Sequence, residues 1–124
     1  MNSLINFIEP EFEHTDDRGS LVQLFSRGWK QVNVVRSEKG SFRGEHYHKN
    51  NIEFFYVVSG SFRLLLDKSD EHEEYVIKSG SMFTVEPNVI HTFDYLEDSI
   101  VIAAYDNGII EAEGKDIYSK NSSD

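Results

Sequence analysis

Residues 40–60 read GSFRGEHYHKNNIEFFYVVSG: a glycine, five residues, His46-x-His48, four residues, Glu53, six residues and Gly60. In an extended strand residues i and i+2 face the same side, so His46 and His48 point together. A second stretch, GSMFTVEPNVIH at 80–91, brings in His91. Two imidazoles from one strand, a carboxylate shortly after and a third imidazole from a neighbouring strand can meet at one point. Three neutral nitrogens and a carboxylate oxygen form a ligand set for Zn, Fe, Mn, Ni or Cu, with positions left open for water or substrate. The mouth of a small barrel is also where a ligand sits.

Working outward, the chain is a series of short β-rich runs: 21–25, 31–37, 53–60, 61–67, 73–80, 81–87, 89–96 and 99–106. Val, Ile, Phe, Tyr and Thr dominate them, as half-buried pleated strands prefer. The run at 74–78 alternates apolar with polar, whereas LLL at 64–66 and IVIAA at 100–104 are continuously apolar and predict burial on both faces. No window carries a 3.6-residue apolar period. Turn signals at Gly40, Gly44, Ser59-Gly60, residues 67–70, Ser79-Gly80 and Pro87-Asn88 fall near the spacing of an antiparallel sandwich or barrel. The fold class is all-β. The end of the chain, GKDIYSKNSSD, is polar and predicts a tail at 116–124 that frays, with Ile117 and Tyr118 as its docking residues.

The 124 residues suit one domain. There is no cysteine, which excludes disulfides and thiolate metal sites and agrees with a reducing cytoplasm. The N-terminus is acidic where a signal peptide is basic, and no apolar run is long enough to enter a membrane. A net charge of -10 repels nucleic-acid phosphates. A small anion can still bind where a few arginines line one pocket.

The two histidine-bearing stretches resemble the motifs of the cupin superfamily. The first matches at every fixed position. The second departs, with Val89 in place of glycine, a shorter run to His91, and Tyr95 in place of asparagine. The resemblance implies a single domain at 1–115 folded as a double-stranded β-helix, the jelly-roll barrel. Asn33, Ser37, Gly40, Arg43, Gly44, His46 and Tyr47 fall on a run similar to that of the dTDP-4-keto-6-deoxyhexose 3,5-epimerases, the RmlC-like cupins. Arg43 to His48 also resembles the sugar 3,4-ketoisomerases and the zinc cupin domain of capsular UDP-sugar enzymes.

This likeness implies an isomerase or epimerase of a nucleotide-linked keto-deoxy sugar in polysaccharide biosynthesis, working by proton abstraction beside the carbonyl. His46 would be the base and His48 its partner, without a cofactor. In the metal-bound form His46, His48, Glu53 and His91 would hold a divalent Zn, Mn, Fe or Ni. Arg43 would contact the diphosphate of a dTDP- or UDP-sugar, with Arg18, Tyr56 and Tyr95 as further substrate-binding candidates. Arg18 equally suits a salt bridge within its turn. Asp94, Asp98 and Asp106 stand as possible carboxylate partners for a histidine, and Tyr105 as another strand tyrosine. His14 and His72, in acidic surroundings, read as solvated; Trp29 reads as a core or interface anchor. Two other classes share the ligand set: a metal-dependent dioxygenase or sugar-phosphate isomerase, and a non-catalytic sugar-binding cupin. Barrels of this type often dimerise by exchanging edge strands, and the apolar run SLINFI at 3–8 is expected to supply one.

Overall fold

The computed structural model describes residues 3–109 and 115–120. The elements are β1 (Ile5–Phe7), β2 (Phe12–Asp16), β3 (Gly19–Gln23), β4 (Gln31–Ser37), β5 (Phe42–Tyr47), β6 (Glu53–Ser59), β7 (Ser61–Lys68), β8 (Glu71–Lys78), β9 (Met82–Val85), β10 (Ile90–Tyr95), β11 (Ser99–Tyr105) and β12 (Tyr118–Ser119). One sheet runs β1-β9-β6-β11-β4 and the other β12-β5-β10-β7-β8, while β2 and β3 form a separate hairpin. All pairings are antiparallel. Two five-stranded sheets enclosing one core give the jelly roll.

The core follows the period-2 rule. From β6, β10 and β11 the odd-numbered residues turn inward, among them Phe55, Val57, Phe93, Val101 and Ala103. Leu64 and Leu66 of β7 and Ile77 of β8 join them. The continuously apolar runs are not buried on both faces as expected. Leu64 and Leu66 are fully buried, but Leu65, Ile100 and Ile102 between the inward residues are only half-buried. Alternation wins because the outer faces of these sheets are only partly covered. One cover is the 24–30 segment: Leu24, Phe25 and Trp29 close over Phe54, Met82 and Ala104 on the outside of the first sheet. Trp29 is thus a local anchor, its ring 5.4 Å from that of Phe54.

Both ends of the chain are tied to the barrel. At the N-terminal end, within the single chain, Leu4 and Ile5 are buried in the core and β1 pairs with β9. The tail also docks further than a fraying end would. Tyr118 pairs with Tyr47 across β12 and β5, and their rings stack at 5.4 Å. Residues 121–124 lie outside the described part.

Gly60, between β6 and β7, sits at φ 96°, where L side chains are strained. A Cβ there would lie 2.5 Å from the Asp98 carbonyl oxygen and 2.7 Å from Ser99 Cα, both backbone atoms that cannot swing aside. Gly60→Ala is expected to cost at least ~2 kcal/mol, seen as a lower midpoint in urea with an unchanged slope. A midpoint within error of the parent would refute the close-approach account.

Candidate active site

The site is a cleft of about 270 Å³ at one end of the barrel. Its floor is a buried polar trio. His48 lies just beyond β5, Glu53 opens β6 and His91 is in β10; each is only 5% exposed. Their ligand atoms all lie within 4.8 Å of one another. Glu53 Oε1 is 2.9 Å from His48 Nε2 and 3.2 Å from His91 Nε2.

The other ring nitrogens are committed. His48 Nδ1 donates to the Asp116 carbonyl at 2.7 Å, and His91 Nδ1 donates to the Val89 carbonyl at 3.2 Å. A carbonyl can only accept, so each Nδ1 carries the proton and each Nε2 is aimed at the carboxylate. In a neutral ring that Nε2 is a lone pair, and its contact with a carboxylate needs a proton or a cation between them. Burial pulls the His48 imidazole down, but its hydrogen bond to Glu53 and the charges of Glu53 and Asp116 outweigh it and hold the pKa above the ordinary value. Burial pushes Glu53 up, yet the two histidines prevail and bring it to about 2. The donor set also fits a divalent cation. Two backbone-oriented imidazoles and a carboxylate are three ligands, with carbonyls as their outer partners.

His46 stands apart. It lines the same cleft but is exposed at the rim and is not among the three converging ligands, so the four-residue metal set becomes three. Desolvation, then the nearby His91 and His48, lower its pKa. This favours the neutral imidazole at neutral pH.

A β-bulge explains how Arg43 joins this wall. His91 is opposite His46, but Thr92 is opposite Gly44, which leaves Glu45 unpaired at φ 57°. Simple alternation puts residues 43 and 46 on opposite faces; the extra residue brings both Arg43 and His46 onto the cleft. Gly44, at φ 134°, lets β5 pass β10 there, since a Cβ would stand 2.5 Å from Thr92 Cα. Arg43 is held by Nε donating to Ser37 Oγ at 2.8 Å and Nη2 donating to the Arg36 carbonyl at 3.2 Å. The Ser37 hydroxyl also hydrogen-bonds Tyr95, a buried cleft residue whose pKa is raised by desolvation.

Other expectations are corrected. Arg18 sits in the β2–β3 turn, bonded to Asp16 at 2.6 Å and away from the cleft. Tyr56 faces the Phe54 and Met82 cluster outside the sheet, because Glu53 and Phe55 take the inward positions. The three aspartates are employed elsewhere: Asp94 by Arg63, Asp98 by the Lys39 amide and Asp106 by the Ile52 amide. Within the cleft, Glu53 is a carboxylate that meets histidine. His14 and His72 are exposed, as expected, each beside an aspartate. Tyr105 lines the cleft with its ring 5.3 Å from that of His48. Sequence reading missed Phe55, Phe93 and Asp116. The two phenylalanines were legible by parity with Glu53 and His91; Asp116 carried no local signal.

The profile of the family described as "Polysaccharide biosynthesis C-terminal domain" matches residues 14–118. The chain belongs to this family. Three solved structures show how this member of the polysaccharide biosynthesis C-terminal domain family resembles known folds. The QdtA 3,4-ketoisomerase from Thermoanaerobacterium thermosaccharolyticum, in complex with TDP, has a TM-score of 0.78 at 21% identity, over 98% of this chain and 90% of its own. The dTDP-4-dehydrorhamnose 3,5-epimerase from Sulfolobus tokodaii has a TM-score of 0.73 at 25% identity, over 85% and 71%. ChmJ, a 3'-monoepimerase from Streptomyces bikiniensis in complex with dTDP-quinovose, has a TM-score of 0.75 at 20% identity, over 94% and 69%. These likenesses establish the RmlC-like cupin fold for this family member. No curated protein sequence matches it significantly. Among the described residues no helix is long and apolar enough to cross a membrane.

Proposed function

We propose that the chain is an isomerase or epimerase of a nucleotide-linked 4-keto-6-deoxy sugar. The observation that carries this reading is the neutral, rim-exposed His46 beside Arg43, above the locked trio His48, Glu53 and His91. A proton on the carbon beside a ketone is acidic because the electron pair left behind moves onto the carbonyl oxygen. His46 takes that proton on an imidazole nitrogen, giving an enediol or enolate. Return of the proton to the former carbonyl carbon, with the hydroxyl proton passing from one enediol oxygen to the other, moves the ketone; delivery of a solvent-derived proton to the opposite face of the same carbon inverts it. Arg43 supplies a planar cation for a diphosphate, and Tyr95, kept as the phenol, supplies a hydrogen bond inside the cleft. The structures solved with TDP and dTDP-quinovose bound support the substrate class.

The test follows solvent deuterium entering the sugar carbons of dTDP- and UDP-4-keto-6-deoxyglucose by proton NMR. Incorporation that needs His46 supports the reading. Binding without incorporation would leave a non-catalytic sugar-binding cupin.

A second reading is favoured by the two Nε2 atoms facing Glu53: His48, Glu53 and His91 hold a divalent Zn, Mn, Fe or Ni. Such an ion acts as a Lewis acid toward a carbonyl oxygen. Metal analysis of untagged protein tests it, and oxygen uptake by the loaded protein separates a dioxygenase from an isomerase.

The working unit is proposed to be a cytoplasmic homodimer. The lack of cysteine and a nucleotide-linked substrate support the compartment. For the dimer, β4 is a sheet edge with Val32 and Val34 53% and 60% exposed. The β2–β3 hairpin likewise exposes Phe12 and Leu21. Open apolar edges and lone hairpins are marginal in water, and a second copy covers both. Light scattering should give twice the chain mass of 14.3 kDa, and Val34→Asp should give the single mass. A monomeric parent at micromolar concentration would end this reading.

A further inference from the structure

The segment 115–120 returns to the barrel and ends against the cleft. Ile117 is in the cleft wall, β12 pairs with β5 beside His46, and the Lys120 amide donates to the Glu45 carbonyl at 2.7 Å. Its anchor is Asp116. The carboxylate accepts from the Lys49 amide at 2.7 Å, from the Asn50 amide at 3.0 Å and from Asn51 Nδ2 at 2.6 Å. Asn51 is 2% exposed, and its Oδ1 accepts from the amides of Asn107 and Gly108. One carboxylate therefore organises the whole turn between His48 and Glu53 and joins it to the end of β11. Asp116 does this at φ 57°, a left-handed conformation that costs an L residue energy and persists where surrounding contacts enforce it. In that conformation its own carbonyl oxygen meets His48 Nδ1 at 2.7 Å.

We propose that Asp116 is a positioning residue of the active site: its carboxylate holds the 49–51 turn, its carbonyl fixes His48 as the Nδ1–H tautomer, and the strap it anchors sets Ile117 as a wall of the cleft. His48 Nε2 is thereby turned toward Glu53 whether a proton or a cation lies between them. Nothing in the motif-bearing stretches performs this task. A carbonyl from 68 residues away does. The kinetic part of the proposal rests on the keto-sugar reading above; the structural part does not.

The experiment compares Asp116→Ala and Asp116→Asn with the parent protein by three measurements. Circular dichroism establishes that each variant is folded. Long-range proton–nitrogen NMR of the histidines reports the His48 tautomer, and steady-state kinetics on the keto sugar separates kcat from KM. In the parent, measured at a pH where the ring is neutral, His48 should show one tautomer with hydrogen on Nδ1. In folded Asp116→Ala it should show a mixture of tautomers, and kcat should fall about 10- to 100-fold, the usual cost of losing the partner that orients a functional histidine. Asp116→Asn keeps one acceptor oxygen but turns a donor toward a donor, and should fall between the two in both readouts. A folded Asp116→Ala protein whose His48 tautomer is unchanged overturns the proposal, even if its melting temperature drops. If the alanine variant does not fold, an unchanged His48 tautomer in Asp116→Asn overturns it instead. A parent protein inactive on every keto sugar refutes the keto-sugar reading alone, because the tautomer measurement needs no substrate.

Discussion

Replacing His46 by asparagine is expected to lower turnover of the keto sugar by about 10²- to 10⁴-fold, the range a positioned proton carrier contributes. The melting temperature stays within a degree or two of the parent. The two effects separate because His46 lies at the exposed rim, outside the hydrogen-bonded trio beneath it. Substrate affinity changes little, since Arg43 and Tyr95 remain. The pH profile supplies a sharper check. A base works deprotonated, and the surroundings of His46 lower its pKa from the usual 6.5. In the parent, kcat/KM should therefore rise through a pKa below 6.5 and be flat by neutral pH, and this limb should vanish in the variant. A limb centred above 7, or a variant retaining a tenth of parental turnover, would remove His46 from the role of base.

Glu53→Leu is expected to be strongly destabilising. It leaves two buried imidazole Nε2 atoms facing an apolar side chain, each with its Nδ1 already committed to a carbonyl. Removing one partner of a buried charged cluster costs about 3–5 kcal/mol. The lower end applies here because the imidazoles can shed their protons. Glu53→Gln is expected to lose under half as much, because one amide NH₂ can donate to both nitrogens.

The acid limb is a separate handle on the same group, in metal-free protein. The folded pKa of Glu53, about 2, lies below its ordinary 4.5. As pH falls the unfolded chain takes up this proton first. The contribution, on the order of 3 kcal/mol, is complete above pH 4.5 and gone below about 2. His48 has the opposite sign: raised when folded, it stabilises fully below 6.5 and loses this as pH rises through its folded value. The cluster is therefore most stabilising between about 4.5 and 6.5. Urea melts across pH should show a shallower acid limb in Glu53→Gln than in the parent. Parallel limbs would place the titration elsewhere.

Much of this was legible in residues 40–60 and 80–91, because strand parity is a rigid rule: Glu53, Phe55, His91, Phe93 and Tyr95 all face the cleft as their odd spacing requires. What was not legible breaks parity or ignores sequence distance. Nothing local announces that Glu45 is an extra residue, so the shared wall of Arg43 and His46 follows from the register with β10. Tyr56 departs from expectation for the converse reason: as an even-numbered residue of β6 it takes the outer face, whatever its aromatic character suggests. Asp116 lies 65 to 68 residues from its partners and owes its role to a chain return that no periodicity encodes.

The extra residue at Glu45 makes β5 two half-strands in different phase. On the proposed reading the half beyond it, with His46, would carry the proton chemistry, and the half before it, with Arg43, would supply the cation for the substrate. Because Glu45 is the added residue, its deletion would leave Arg43 and His46 two positions apart and still on one face of a regular strand, so the bulge resets the phase of β5 without costing the cleft either side chain.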